Sequence, residues 1–422
     1  MPDVAVIGAG LAGLRCAALL AEGGRDVVVL EAADVVGGRQ RTDEVDGFLL
    51  DRGFQVLNPA YPAVRRAIDV PALGLRSFPV GVQVRTARGL DALWHPLRYP
   101  HSIAATLRTG LVTPRDAIAL ARWVAPAFVR TPEPVGDVSL HAGWDAAGFR
   151  GPLRSSVLEP FLTGVLADDG DDTSNAFARW LVRLFVLGRP GLPPGGIASV
   201  PAQLARRAQS AGARIVLGAR ATAEHPAGGG VEIAIDGGDT VTAGYAVVAV
   251  GPAEVSGLTG VPRPATRGLQ TWWFAVDAAP PASALLTVDG RRNGPVVNTV
   301  VMSRTVPSYA PSGRHLVAAT CLMPSASAPP TEADVRQHLE QIWGADVTTW
   351  LLLRRDDIPD ALPAQTAPLR GRGPAHVGDR LLIAGDHRDT ASINGALVSG
   401  ERAAHAVMGE PPQRSRRHAR RG

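Results

Sequence analysis

Apolar positions along the chain follow two periods, and the places where one gives way to the other set most of the expected elements. Asp3 to Ile7 is a short apolar run that reads as a strand, and Leu11 to Glu22 carries its apolar residues at helical spacing. The next apolar strand ends at Glu31. Further on, Ile197 to Ser210 reads as an amphipathic helix and "ARIVLGARA" as a strand. "GVEIAIDGGDTVTAGYAVVAV" then reads as a hairpin and return strand turned at Gly237-Gly238. Between these stretches, "TPRDAIALARWVAPAFV" opens on the helix-start signal Thr113-Pro114, and "TSNAFARWLVRLFVLG" opens near Thr173 or Ser174. The segment 61–189 is therefore expected to be mostly helical. The segment 256–375 alternates like strands around "LQTWWFAVDA", "ALLTVDG", "VVNTVVMS" and "HLVAATCLM", then gives one helix near Glu332 to Trp343.

The first strand-to-helix junction carries chemistry. Gly8-Ala9-Gly10-Leu11-Ala12-Gly13 has the glycine spacing of a dinucleotide-binding turn. Its first glycine permits the turn, its second lets backbone approach a pyrophosphate, and its third lets helix and strand pack closely. Glu31 stands where an acid would accept from a ribose hydroxyl. Phosphate charge would then sit at a helix N-terminus, where unpaired N–H groups point at it. A plain glycine turn is the competing reading, and the strand before, helix after and acid in place all argue against it.

Beyond Glu31 and Ala32 the chain reads Gly37-Gly38-Arg39, and later Asp51-Arg52-Gly53-Phe54-Gln55. The run "GRQRTDEVDGFLLDRGFQ" resembles the start of the FAD-dependent superfamily of amine oxidases, protoporphyrinogen oxidases and phytoene or carotenoid desaturases. "LPPGGIASVPAQLA" from Leu192, "VVAVGP" from Val247 and "LLIAGDHRDTASINGALVSGERAA" from Leu381 extend the resemblance across the chain. "LEPFLTGVLADD" and "YAPSGRHLV" are similar to segments of bacterial phytoene-desaturase-like NAD(P)/FAD-dependent oxidoreductases. The resemblance implies an α/β fold: a Rossmann-like FAD-binding domain of the GR2 type, interleaved with a substrate domain of mixed sheet plus helices. It implies non-covalently bound FAD. The FAD domain is expected from residues 1–60, 190–255 and 376–410, the substrate domain from 61–189 and 256–375, and a disordered basic tail from 411–422.

By the same resemblance, Gly8, Gly10, Leu11, Ala12, Gly13, Glu31, Ala32, Gly37, Gly38 and Arg39 are expected at the cofactor. Gly53, Phe54 and Gln55 should lie near its ring, Ala221 near the adenine side, and Gly251 at a strand end close by. Gly385 and Asp386 should meet the ribityl or pyrophosphate region, and Ser392, Ile393, Asn394, Gly395 and Ala396 the pyrimidine carbonyl. A helix N-terminus there favours negative charge developing on reduced flavin. His387, Gln55 and Glu159 are the candidates for catalytic side chains, with Arg388 and Asp389 also considered as acid or base. Each has a bland alternative as a packing or surface group, as Arg39 has in a surface salt bridge. Trp272, Trp273 and Phe274, or Trp180, Leu184 and Phe185, would wall an apolar tunnel, a role that core packing explains equally well.

With 422 residues the chain can form two domains. The formal charge of +4 suggests a basic protein, but Arg414, Arg416, Arg417, Arg420 and Arg421 crowd the last residues, and removing those five leaves −1. The body is near neutral, so nucleic acid is not expected as a partner. The tail reads as a solvated end, with an anionic or membrane-surface contact as the second reading. Trp94, Trp123, Phe128 and the nearby arginines suggest an interfacial surface as a second reading, with a solvated amphipathic helix as the preferred one. Two cysteines, Cys16 and Cys321, suggest buried thiols in a reducing compartment, and the scattered histidines suggest no metal site. The amino terminus lacks a charged n-region, so a cytoplasmic location is expected, with peripheral membrane contact as the variant.

All 43 basic residues other than histidine are arginines. No Schiff-base lysine, no P-loop lysine, and no lysine holding water beside a flavin, as many amine oxidases have, is available. The leading expectation is removal of hydride from a hydrophobic, isoprenoid- or polyene-like substrate to form a C=C bond, with electrons passed to oxygen, a quinone or another acceptor. Flavin amine oxidation and non-redox flavin-dependent isomerisation are the alternatives. Oligomeric state is left open.

Overall fold

The computed structural model describes residues 1–129, 135–168, 172–227, 229–280, 284–323 and 328–409. The expected tail at 411–422 lies outside the described residues. The chain divides into two compact units: Met1–Gly38, Pro201–Arg263 and Arg372–Gly422 form the first, and Arg39–Val200 and Pro264–Gly371 the second. The crossing falls at Gly38, so the hairpin of Thr42–Val45 and Phe48–Asp51 belongs to the second unit.

The first unit is built on a five-stranded parallel sheet in the order Leu381–Ile383, Tyr245–Val248, Val4–Ile7, Val27–Leu30, Arg214–Val216. Val4–Ile7 and Val27–Leu30 are buried at every position, which is why they read as continuous apolar runs and not as alternation. Because every strand runs the same way, all five carboxyl ends open on one edge, and the strand order reverses beside Val4–Ile7. That is where α/β sheets bind ligands. The hairpin Gly230–Ile235 and Thr240–Ala243 turns at Gly237-Gly238, both at positive φ, and joins Ala221–Ala227 in a separate three-stranded sheet.

The first helix, Leu11–Glu22, and the last, Ile393–Met408, lie against each other at backbone range. A Cβ at Gly400 would stand 2.2 Å from the Ala12 carbonyl oxygen. Beside this contact the Arg15 guanidinium reaches Glu401 Oε1 at 3.0 Å, with both side chains largely buried. Cys16 lies inside this helix, fully buried, which pushes its thiol up to about 12.

The second unit holds a seven-stranded sheet in the order Leu351–Pro363, Thr266–Val276, His315–Met323, Val296–Val301, Thr287–Asp289, Gly81–Thr86, Gly89–Trp94. Neighbours are antiparallel except Thr287–Asp289 with Gly81–Thr86, so the sheet is mixed. The last two strands come from the segment read as mostly helical. There Val82 and Val84 alternate with Gln83 and Arg85, a period-2 signal too short to stand out beside longer helices. Helices elsewhere start as expected: Thr113 caps Pro114–Val124 through Asp116 N–H, and Ser174 caps Asn175–Leu187 through Phe177 N–H. Glu332–Trp343 begins at a capping box of Thr331 and Asp334. Val335, Leu339, Ile342 and Trp343 from this helix share one core cluster with Trp272 and Phe274 of the sheet.

Gly400→Ala is expected to destabilise the first unit by about 1–3 kcal/mol, since the added methyl collides with backbone and not with a side chain that can rotate away. Chemical denaturation of the purified variant checks this. An unchanged midpoint would mean the two helices do not need that approach.

Candidate active site

Each glycine of the amino-terminal loop has a separate job. Gly8 sits at φ 104°, and a Cβ there would stand 2.7 Å from the Ala249 carbonyl oxygen. A Cβ at Gly13 would come within 2.0 Å of the Gly8 carbonyl oxygen, so the third glycine sets the approach of helix to strand. Gly10 is different: nothing lies within 4 Å of its Cβ position, and it caps the helix without a side-chain hydrogen bond. The first-turn N–H groups of Leu11 and Ala12 stand at the positive end of this twelve-residue helix, where no intrahelical carbonyl is available to them. This arrangement fits an incoming diphosphate, which would supply the acceptors the helix end lacks.

Glu31 follows the carboxyl end of Val27–Leu30. Its Oε2 accepts from Ala9 N at 2.6 Å and its Oε1 from Ala33 N at 2.9 Å. A carboxylate offers about four lone-pair sites, so two remain for a ribose hydroxyl pair. Gly37, at φ 126°, donates its N–H to Ala9 O at 2.9 Å, and Gly38, at φ 59°, lies against Gly10. Gly8 to Gly13, Glu31, Gly37 and Gly38 are therefore one cluster, with Ala32 exposed at its margin. Gly251, exposed, follows the end of Tyr245–Val248 on the same sheet edge, while Ala221 opens its strand at a β-bulge in the three-stranded sheet.

Leu381–Ile383 brings the carboxyl-terminal residues to that same edge. Gly385 takes φ 153°, donates its N–H to Ser399 Oγ at 2.9 Å, and lies under the His387 imidazole. Asp386 is 4% exposed and opens a short 3-10 turn through Arg388. Burial pushes the Asp389 carboxyl up, opposed by the nearby Arg372 and Arg402 guanidiniums, and Arg372 Nε pairs with it at 2.7 Å. Arg388 donates to Pro374 O at 2.8 Å. Ser392 caps the last helix by accepting from Gly395 N at 3.0 Å, and a Cβ at Gly395 would stand 1.9 Å from Thr390 O. Ile393, Asn394 and Ala396 complete this first turn, with Asn394 buried.

Within the second unit, Arg39 donates to Ala361 O at 2.8 Å, which holds it to the longest sheet strand. Gln55 Nε2 donates to Arg39 O at 2.8 Å and to Arg52 O at 3.0 Å, leaving its carbonyl oxygen as the unspent acceptor of that pair. Gly53, at φ 85°, packs on Ile358, and Phe54 sets its ring edge-on to Phe78. Glu159 stands in a separate ion-pair cluster: Arg154 Nε is 2.8 Å and Arg292 Nη1 3.4 Å from its carboxylate.

Two groups escaped sequence reasoning. Asp51 is fully buried and accepts from Thr42 Oγ1 at 2.6 Å, Ile197 N at 3.0 Å and Tyr309 Oη at 2.8 Å. Burial pushes its carboxyl up to about 6, against the pull of those three donors and of Arg354. The carboxylate thereby joins the hairpin just before Gly53 to two distant turns. The other is Arg354, which bonds the carbonyls of Leu50 and Asp51 and pairs with Asp43 at 2.8 Å. Polar partners spread over hundreds of residues leave no local pattern to find.

The aromatic groups divide. Trp272 and Phe274 belong to the core under the helix Glu332–Trp343, while Trp273, on the opposite face, donates Nε1–H to Asp356 at 2.9 Å. Trp180 packs on Tyr61 and Phe177, Leu184 is buried, and Phe185 meets Phe161. Trp123 is buried and donates to Asn175 Oδ1 at 2.7 Å, so it forms no part of an interfacial surface. Trp94 stacks on Tyr99, and Phe128 lies half exposed under Arg183. Among the described residues no helix is long and apolar enough to cross a membrane.

A parallel sheet with this glycine turn, an acid after its second strand, and a return helix packed on the first defines a dinucleotide-dependent oxidoreductase. Residues 11–408 match the family described as flavin containing amine oxidoreductase, and the chain belongs to that family. It is 30% identical to hydroxysqualene dehydroxylase of Rhodopseudomonas palustris over 455 aligned positions, covering 96% of this chain and 98% of that protein. It is 45% identical to putrescine oxidase of Kocuria rosea over 76 residues, 18% of this chain and 16% of the relative. An oxidoreductase from Methanosarcina mazei shares the fold, with a TM-score of 0.75 at 17% identity, covering 96% of this chain and all of that one. The protein is an FAD-dependent oxidoreductase of the amine oxidase, protoporphyrinogen oxidase and phytoene desaturase superfamily.

The raised Asp51 has a pH signature. The folded state holds this proton more tightly than the unfolded chain, so Asp51 favours folding at low pH and that advantage shrinks as pH rises from about 4 through 6. The stability difference between the native protein and Asp51→Asn should fall by about 2–3 kcal/mol between pH 4 and pH 7. Parallel denaturation curves for the two proteins over that range would remove the assignment.

Proposed function

We propose that this chain uses FAD to take hydride from a hydrophobic, isoprenoid- or polyene-like substrate, the neighbouring carbon losing a proton to a base or to solvent as the C=C bond forms, with oxygen, a quinone or another acceptor taking the electrons. The observation that carries this reading is the end-to-end match to a protein named for hydroxysqualene, whereas the match to putrescine oxidase covers a small part of the chain. The absence of lysine agrees, since no amine is available to hold water beside the flavin.

FAD, when bound, supplies the two-electron chemistry. What this chain does is bind, orient and polarise. The first-turn amides after Gly10 hold the diphosphate, Glu31 accepts from the ribose, and Asp386 accepts from the ribityl side. The amides at Ile393 to Gly395 are the helix end that would face the ring, where its dipole would favour negative charge without a titrating side chain. His387 and Gln55 are the candidates to contact the substrate or the ring. Glu159, satisfied by two guanidiniums, is assigned to structure. Flavin amine oxidation is the second reading, favoured by the putrescine oxidase match.

Glu31→Ala and Asp386→Asn are expected to lower the ratio of flavin to protein after purification by severalfold, read from visible absorbance. Native ratios in both would contradict these assignments. For the reaction, anaerobic mixing with squalene- or phytoene-type substrates should bleach the flavin within a single turnover. Rapid bleaching by putrescine, with every isoprenoid leaving the flavin oxidised, would overturn the proposal.

A further inference from the structure

The second unit has a cavity of about 780 Å³ that none of the assigned chemistry uses. Its floor is apolar, with Ile68 buried and Leu75 and Leu187 at the sides, and Arg65, Arg76 and Arg189 stand around it. No carboxylate lines it. The acid nearest in sequence, Asp69, accepts from Ala72 N at 3.1 Å. Arg65 Nε donates to Pro59 O at 2.9 Å, which fixes one guanidinium on the wall. Arg76 and Arg189 have no side-chain partner among the described residues.

The frame beneath these arginines is stiff. Arg76 lies on a two-residue strand paired with Gly191-Leu192. Arg189 follows Gly188, where a Cβ would stand 2.0 Å from Asn58 Oδ1. Asn58 in turn donates to Leu184 O at 3.0 Å and accepts from Ala60 N at 2.9 Å, tying the helix end to the groove floor. Guanidiniums bind phosphate oxygens in forked pairs, and here the backbone that carries Arg76 and Arg189 is fixed while their side chains are free to close on a ligand. The volume falls in the range of about 300–1,000 Å³ usual for small-molecule sites.

Three cations and an apolar floor with no acid select an amphiphile with a strongly anionic head. A terminal diphosphate carries more charge than a phosphodiester lipid head and matches three guanidiniums better. We infer that this groove binds a prenyl diphosphate, its head on Arg65, Arg76 and Arg189 and its isoprenoid chain along Ile68, Leu75 and Leu187. The choice of tail rests on the isoprenoid reading given above. The head rests on the arginines alone.

Isothermal titration of the flavin-loaded protein with geranyl diphosphate tests this. Arg76→Gln and Arg189→Gln, both at exposed positions, should each weaken binding about tenfold. Geraniol and inorganic diphosphate should each bind at least about tenfold more weakly than the joined molecule. Leu187→Ser should reduce affinity for geranyl diphosphate and leave that for inorganic diphosphate unchanged. Equal affinity in both arginine variants would overturn the inference, as would inorganic diphosphate binding as tightly as the prenyl ester. So would loss of sedimentation with phosphatidylglycerol vesicles in those variants while geranyl diphosphate fails to bind, which would make the groove a membrane contact. Geranyl diphosphate binding by a protein whose flavin no isoprenoid reduces supports the groove and counts only against the proposed activity.

Discussion

The first unit depends on one close approach, that of the last helix onto the first. The chain places nearly 390 residues between Ala12 and Gly400, yet their backbones come so near that only hydrogen fits as a side chain. This contact fixes where Ile393–Met408 begins, and so fixes the first-turn amides of Ile393 to Gly395 on the sheet edge that also carries Gly8 to Gly13. Gly13 does the same at shorter range, since its hydrogen lets the first helix start directly above the Gly8 carbonyl. Two helix N-termini at one edge of a parallel sheet concentrate positive potential there, and an anionic cofactor is what such an edge attracts. Arg15 and Glu401 add an ion pair to the helix contact, but burial lowers the arginine's pKa against the pull of its partner. Its net contribution is therefore small, and backbone proximity carries the arrangement.

A different constraint governs the second unit. Asp51 is a buried acid with three donors, and the groups it joins are a hairpin, the turn at Ile197 and the turn at Tyr309. An apolar residue there would leave Thr42, Tyr309 and a backbone amide without acceptors, at a desolvation cost that exceeds the worth of any single bond. The loop Gly53 to Gln55 begins two residues later and inherits its position from this anchor. Gln55 then returns to Arg39 O, closing the segment on itself.

What could be read from the sequence tracks how local the physical cause is. The glycine turn, the helix starts at Thr113 and Ser174, the helix from Glu332, and the Gly237-Gly238 hairpin each depend on residues a few positions apart, and all lie where the pattern put them. The Asp51–Tyr309 bond spans 258 positions, and no window along the chain contains both ends. The adjacent Trp272 and Trp273 carry the same difficulty in miniature. Alternation sends one to the core and the other to Asp356, and composition cannot say which face meets what. Trp123, with arginines nearby, reads as part of a solvated or interfacial helix face, yet its stripe with Asp116 and Ala119 is the buried one. The hairpin Gly81–Trp94 was hidden because four or five alternating residues weigh little against the helices that follow.

The missing lysines narrow the chemistry further. Arginine does not lose its proton in proteins, so 43 cations here are permanent charges and none can act as a base. Many are spent on structure: Arg354 holds two backbone carbonyls and two carboxylates at once, a task its planar fork can do and an ammonium cannot. Proton transfer near the cofactor edge must then fall to His387, to carboxyls such as the buried Asp389, or to solvent. Burial raises the Asp389 carboxyl against the pull of Arg372 and Arg402, so its carboxylate binds a proton more strongly and is the better base. Forming a C=C bond removes a hydride and, from the neighbouring carbon, a proton, so the proposed reaction also needs one of these acceptors. The arginine-only inventory thus limits the proton acceptors of any such reaction to a few groups without selecting its substrate.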